Sequence, residues 1–263
     1  MWTIVRWTLW QRRWSLFWWS IGMVGFVVLT LIFYPSFKDQ ASELEKAFGN
    51  LPSGAMELFG GTDLFSPVGY LNSQLIYLML PLLLAILAIG LGSNLIGREE
   101  RDLTIEPLLA RPISRGRLLA GKALAGAIAV SAVTLVGSLS TILMVKAVGL
   151  DVPLGNLAAA CFVCLLLVLT FGAVAFMLAA TGRGRGAALG ASVIYALVGY
   201  IIGSLAGTVH WLNTPSLAFP YHYYKSADIL RGSFEWSAIV FYVALILGCG
   251  ILSWLSFRRR DLE

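Results

Sequence analysis

The chain has 263 residues, of which 58% are hydrophobic and only 13% charged, and its mean hydropathy is +0.80. This apolar share exceeds that of water-soluble domains, so the composition excludes an ordinary soluble protein and indicates a protein of the lipid bilayer. We interpret the net charge of +5 as a signal of membrane topology, and nucleic acid is not an expected partner.

Six stretches are long and apolar enough to cross a membrane as helices, since a span needs roughly 20 apolar residues. They lie at about 16–34, 70–96, 118–148, 157–181, 187–209 and 237–257. We therefore predict an all-α membrane protein with six transmembrane helices, which form a single transmembrane domain over residues 1–263.

The first fifteen residues mix tryptophans with arginines ahead of the first span. Helical spacing puts Trp7 and Trp10 near one face and Arg6 and Arg13 near another. This pattern predicts an interfacial amphipathic helix over residues 1–15, lying in the headgroup region. The alternative is an aromatic and basic flank to the first span.

Lysine and arginine are distributed unevenly between the spans. Fourteen lie on the side that bears the two termini and five on the other side. Because positive residues accumulate on the cytoplasmic side, we expect a multi-pass protein of the plasma (inner) membrane with both termini in the cytoplasm.

Two longer segments are then expected outside. Residues 35–69 form a polar outer loop, and residues 210–236 form an aromatic segment around His222 with prolines at positions 215 and 220. The second segment is either an aromatic belt at the interface or a re-entrant, lid-like segment that closes the outer end of a pathway.

Three glycines recur every four residues in the fifth span: Gly199, Gly203 and Gly207. A helix face that is nearly bare backbone allows another helix to approach closely. The partner helix is either in the same subunit or across a dimer interface.

The cytoplasmic loop between the second and third spans, residues 97–117, is the most informative segment. From Gly97 to Lys122 it packs ten charged residues into 26, more than a simple turn requires. Pro107 is tolerated only in the first turn of a helix, and Pro112 disfavours helix through the residue before it. One short helix over about 104–111 fits between these limits, with leucines available for a partner's groove.

The same region also matches the spacing of a phosphate-binding loop, with Gly116, four further residues, then Gly121 and Lys122. Such a loop needs a serine or threonine next and follows a buried strand. Here Ala123 takes that place and a membrane span follows directly. We therefore expect no nucleotide and no other cofactor on this chain, and assign the glycines to a bend and close packing at a helix entry.

At this loop the chain resembles the membrane subunits of type-2 ABC exporters, the ABC-2 permeases. The resemblance rests on five short motifs: Glu99-Glu100-Arg101, Thr104-Ile105-Glu106, Leu108-Leu109-Ala110, Pro112-Ile113-Ser114-Arg115 and Gly121-Lys122. Leu103 replaces the usual glycine, and Pro107 follows the glutamate, so the start of the short helix differs in geometry from the family pattern.

The resemblance implies that the loop holds a coupling helix, which rests on a separate ATP-hydrolysing subunit. The implied contact residues are Glu99, Glu100, Arg101, Thr104, Glu106, Leu108, Leu109, Arg111 and Arg115. It also implies a homodimer or a heterodimer with a related permease, ATP and Mg on the partner subunit, and a transport route lined by spans two and five. The alternative for the charged loop is anchoring to phospholipid headgroups.

The function expected from this resemblance is export of an amphipathic or hydrophobic substrate, such as a drug, antibiotic, peptide or lipid. Two other classes remain as alternatives. A membrane-embedded lipid-modifying enzyme would need carboxylates, histidines or a metal site gathered at one interface. A secondary transporter or channel would place acidic groups at membrane depth, and none of the six spans contains aspartate or glutamate. No metal site is expected, and Cys161 and Cys164 are expected to be small packing residues.

Overall fold

The computed structural model describes residues 1–40, 53–61, 66–101, 114–182 and 184–258, with the backbone alone at 97–101 and 115. The described residues contain helices and turns but no strand. In chain order the helices are α1 (Trp2–Ile32), α2 (Ser53–Leu58), α3 (Pro67–Leu71), α4 (Met79–Arg101), α5 (Arg115–Ala147), α6 (Leu154–Ala180), α7 (Arg185–Leu205), α8 (Asn213–Ser216), α9 (Ser226–Leu230) and α10 (Trp236–Arg258). A π-helical turn, Asn72–Ile76, follows α3, and the 3-10 turns His210–Leu212 and Pro220–Tyr223 flank α8.

Six helical segments are apolar and long enough to cross a membrane, which confirms the predicted fold class. They are Trp2–Gln40, Pro67–Ile96, Gly116–Ala147, Leu154–Ala180, Arg185–Leu205 and Trp236–Arg258. Helices satisfy all backbone hydrogen bonds within the segment, which the hydrocarbon interior requires.

The second span is interrupted and is built from α3, the π-helical turn and α4. Ser66 caps α3, because its hydroxyl accepts a hydrogen bond from the amide of Gly69 at 2.9 Å, and Pro67 follows at the first helical position. The regular helix restarts two residues before Pro81, whose ring has no N–H and excludes an α-helical bond to the Tyr77 carbonyl. This break leaves Tyr77 at a turn between the two parts of the span.

The N-terminal helix differs from the prediction in its extent. The predicted interfacial helix over residues 1–15 is the first half of α1, which continues without interruption for 31 residues. At about 1.5 Å per residue this length exceeds the hydrocarbon core of roughly 30 Å. Trp7, Trp10, Trp14 and Trp18 are exposed along it, and the Arg13 guanidinium lies 4.1 Å from the centre of the Trp10 ring.

Helix α6 is the centre of the bundle, because it packs against α4, α5, α7 and α10, while α1 packs on the outer side of α5. The crossing of α4 and α6 is especially close. A Cβ atom at Gly172 would lie 3.3 Å from the Cβ of Ala88, and one at Gly92 would collide with the carbonyl oxygen of Gly172. Small residues therefore set the separation of these two helices.

The six spans alternate in direction, which gives the bundle two ends. The terminus-bearing end holds the start of α1, the end of α4, the start of α5, the end of α6, the start of α7 and the end of α10. The opposite end holds α2, α3 and the segment 210–236, in which Tyr221, Tyr224 and Leu230 are buried. This segment packs into the bundle and covers its opposite end.

Candidate functional site

The predicted ATPase-contact residues lie at the terminus-bearing end or outside the described residues. Glu99, Glu100 and Arg101 are on the last turn of α4, and Arg115 is the first residue of α5. Thr104, Glu106, Leu108, Leu109 and Arg111 lie outside the described residues, as does the predicted short helix. Two long helices therefore flank the charged loop: α4 ends at Arg101 and α5 begins at Arg115.

A buried lysine ties these two helices together just inside the loop. The Lys122 side chain is only 6% exposed, and its Nζ donates a hydrogen bond of 2.8 Å to the carbonyl oxygen of Leu95. Leu95 is near the end of α4 and Lys122 near the start of α5. From the sequence, Lys122 was identified only as part of the charged loop and of the Gly121-Lys122 motif, although a lysine one turn inside an apolar span was the signal for a buried charge.

The glycines of the apparent phosphate-loop spacing serve helix packing. Residues 116–123 belong to α5, with no loop. A Cβ atom at Gly121 would lie 3.1 Å from the Ile4 side chain of α1, and one at Gly116 would lie 3.2 Å from Nε1 of Trp254 in α10. Both glycines are therefore points of close packing between α5 and a neighbouring helix.

An apolar cavity of about 640 Å³ lies near the same end. Its walls come from α4, α5, α6 and α10, and Met1 also contributes. The lining residues include Leu91, Leu119, Ala127, Phe176, Ile246, Gly250 and Trp254. No described residue that lines the cavity carries a carboxylate.

Spans two and five meet at the opposite end through tyrosines. The hydroxyl of Tyr77 lies 2.7 Å from Oγ of Ser204, and the hydroxyl of Tyr200 donates to the carbonyl of Leu58. The Tyr77 ring centre is 6.1 Å from that of Tyr200 and 6.2 Å from that of Tyr221. These aromatic contacts close the space between the two spans at this end.

The covering segment is anchored by hydrogen bonds from several directions. Tyr224 donates to the Ile76 carbonyl at 2.8 Å, and the Ser226 hydroxyl donates to Oδ1 of Asn72 at 2.7 Å. Burial, reinforced by the positive charge of Lys225, lowers the pKa of His222, so its ring is neutral near pH 7 and lies 2.9 Å from the Ser216 hydroxyl. The histidine thus has a structural partner.

A polar pocket of about 430 Å³ lies beneath this segment. Its lining mixes both signs of charge, with Glu57, Lys225, Asp228 and Arg231, beside Asn72. Among the described residues, no group of three histidine, cysteine, aspartate or glutamate side chains is placed to hold a metal ion. Nothing in this part of the chain gathers the groups that metal-dependent chemistry on lipid headgroups would use.

The glycine face of the fifth span packs within the chain. A Cβ atom at Gly199 would lie 3.0 Å from the Phe219 ring, and one at Gly203 would lie 2.9 Å from the Cβ of Tyr221 and 3.0 Å from the amide nitrogen of His222. Gly207 is less crowded, with Oε1 of Glu57 at 3.8 Å. Gly199 and Gly203 therefore admit the covering segment, in place of the partner helix suggested by the sequence.

Replacing Gly203 by valine is expected to destabilise the protein by about 1–3 kcal/mol, because the new side chain overlaps backbone atoms of residues 221 and 222. The measurement is the thermal unfolding midpoint of the detergent-purified protein. Gly190→Val is the control on the same helix, since no heavy atom lies within 4 Å of a Cβ there. Equal losses in the two variants would contradict the close packing of the covering segment.

Residues 2–262 match the family model described as ABC-2 family transporter protein. No curated protein matches the chain. The family match covers all six spans and both ends of the bundle, so it applies to the whole membrane domain.

Proposed function

The chain belongs to the ABC-2 family of transporter proteins, and we propose that it is the permease subunit of an ATP-binding-cassette exporter. In this proposal it moves an amphipathic or hydrophobic substrate, such as a drug, antibiotic, peptide or lipid, out of the cytoplasm or the inner leaflet. The chain itself makes and breaks no covalent bond, and a separate subunit hydrolyses ATP with Mg.

The observation that carries the proposal is the family match over residues 2–262. Membership implies an ABC ATPase as partner. We assign the contact with that ATPase to the loop between α4 and α5, which carries Glu99 and Arg101 at one edge and Arg115 at the other. The permease pairs with a second copy or a related chain, and both termini face the cytoplasm of a cell whose plasma membrane holds the complex.

The proposed mechanism starts from the connection of the loop to α4 and α5. Closure of the ATPase subunits displaces the loop, and α4 passes the displacement to α6 because small residues hold the two helices in close contact. The bundle then shifts between inward-open and outward-open states, which differ in their affinity for the ATP-loaded partner. In the described structure the tyrosines of spans two and five meet at the opposite end, and in this proposal that contact separates when the outward-open state forms.

The test replaces Leu108 and Leu109 by aspartate. We expect substrate-stimulated ATPase activity of the co-purified complex to fall at least tenfold, because charged side chains cannot fill an apolar groove. Expression and membrane insertion are expected to stay normal, since the change lies in a polar loop.

The matched control replaces the same two leucines by methionine, which conserves volume and apolar character and should retain the stimulation. A double-aspartate variant with full, substrate-responsive ATPase activity would remove the loop from the coupling path. Mild-detergent extracts that repeatedly contain no ATPase would overturn the exporter proposal itself and return the secondary transporter or membrane enzyme as the leading class.

A further inference from the structure

We propose that the apolar cavity between α4, α5, α6 and α10 binds an acyl chain of an anionic phospholipid, with the lipid phosphate at Arg117 and Arg258. This lipid site shares α4 with the transport route expected from spans two and five, but its remaining walls come from α5, α6 and α10, and none of its described lining residues belongs to α7. The proposal requires that the bundle spans a membrane. It does not depend on which substrate is exported or on the ATPase.

The cavity has the size and lining of a site for an aliphatic chain. Its volume of about 640 Å³ lies within the range of roughly 300–1,000 Å³ typical of small-molecule pockets. Leucines, alanines and glycines form most of the wall. An empty apolar space of this size beside lipid is unfavourable, because its lining atoms lose dispersion contacts that a hydrocarbon chain would supply.

The cavity is accessible from the side of the bundle. Leu247 and Ile251 contribute to its wall and are 61% and 59% exposed. Both are on α10, whose contact with α5 is limited compared with its contact with α6. A lipid chain can therefore enter laterally from the bilayer without crossing the ends of the bundle.

Cationic side chains lie at the rim nearest the end of the bundle. The Trp254 ring lines the cavity, and the guanidinium of Arg258 lies 5.5 Å from the centre of that ring. Gly116 lines the cavity beside Trp254, and Arg117, the next residue of α5, is exposed. An indole with neighbouring arginines is the usual arrangement at a membrane interface.

Charge selects the occupant among membrane lipids. No described residue in the wall carries a carboxylate, so the wall itself does not repel an anionic headgroup. Guanidinium groups bind phosphate through two parallel hydrogen bonds, and they attract lipids of net negative charge more strongly than zwitterionic ones. The apolar wall supplies the chain site and the arginines supply the headgroup site.

The first experiment fills the cavity. Gly250→Phe places a ring in the wall, and no heavy atom lies within 4 Å of the Cβ position, so the backbone tolerates it. Gly248→Phe is the control, because Gly248 is on the same helix, is equally uncrowded and is outside the wall. After purification from phosphatidylglycerol-containing nanodiscs, native mass spectrometry should find phosphatidylglycerol retained by the wild type and the control, and at least tenfold less by Gly250→Phe.

The second experiment tests the headgroup. In nanodiscs with equal phosphatidylglycerol and phosphatidylcholine, the wild type should retain mainly phosphatidylglycerol, and Arg117→Gln with Arg258→Gln should abolish the preference. Lys146→Gln, at the other end of α5, should leave it unchanged. Equal retention of the two lipids by the wild type, or undiminished retention by Gly250→Phe, would overturn the proposal. A protein dimer that Gly250→Phe alone dissociates would instead assign the cavity to a second copy of the chain.

Discussion

Replacing Gly92 by alanine is expected to cause the largest loss of stability of any single-methyl change in the described bundle. The added Cβ would collide with the carbonyl oxygen of Gly172 and lie 3.1 Å from the amide nitrogen of Phe176. Both atoms belong to the backbone of α6, which cannot rotate away as a side chain can. The helices must separate, and overpacking of this kind costs about 1–3 kcal/mol and occasionally more.

The matched control is Gly90→Ala, two residues earlier on the same helix. No heavy atom lies within 4 Å of a Cβ at Gly90, and alanine is better than glycine in a helix by about 1 kcal/mol. The control should therefore unfold at the wild-type temperature or slightly above it, and Gly92→Ala several degrees below it. Thermal unfolding in detergent measures both, and a similar midpoint for the two variants would contradict the close crossing of α4 and α6.

This pair of glycines marks the limit of what the sequence predicts. Gly90 and Gly92 occupy similar settings in the sequence, since both are next to Leu91 in the second span. Their difference arises from the rotation of α4 relative to α6, which hydropathy does not encode. The span itself was predictable, because the bilayer forces a long apolar segment into a helix whatever its neighbours are.

The continuity of α1 has a similar explanation. The mixture of tryptophan and arginine over residues 1–15 suggested a separate surface helix, yet no proline or glycine interrupts the sequence before Gly22. A sharp break in a helix needs a residue of that kind or an inserted group. The chain therefore continues as one helix, and the exposed tryptophans lie along the first part of that helix.

The covering segment shows which part of the site escapes a sequence pattern. The sequence indicated aromatic residues around His222 and a glycine face on the fifth span, but as two unrelated features. In the structure they form one contact, with Tyr221 seated against Gly203. Recognising that contact requires the position of the second span as well, because Tyr77 and Asn72 hold the same segment from the other side.

Replacing Lys122 by methionine is expected to uncouple the loop from the bundle while leaving overall stability nearly unchanged. The methionine fills much of the same apolar space but cannot donate to the Leu95 carbonyl, which Lys122 reaches at 2.8 Å. A hydrogen bond from a charged donor contributes about 1.5–3 kcal/mol. Removing a mostly buried ammonium also removes its desolvation cost, so the two effects offset each other in global unfolding.

The local effect on the end of α4 has no such offset. Amide hydrogen exchange over residues 96–101 should accelerate about tenfold or more, because the last turns of α4 lose their link to α5. If the loop carries ATPase coupling as proposed, substrate-stimulated ATPase activity should fall by a similar factor. Lys122→Arg keeps the charge and the donors, and should retain part of both properties.

Lys146→Met is the matched control, since Lys146 is on the same helix but exposed at its other end. It should change neither the exchange of residues 96–101 nor the ATPase activity. A purely structural role for Lys122 would lower the unfolding temperature and accelerate exchange throughout α4 and α5. Unchanged exchange at residues 96–101 in Lys122→Met would show that the hydrogen bond to Leu95 does not hold the end of α4, and the loop would then be positioned by other contacts.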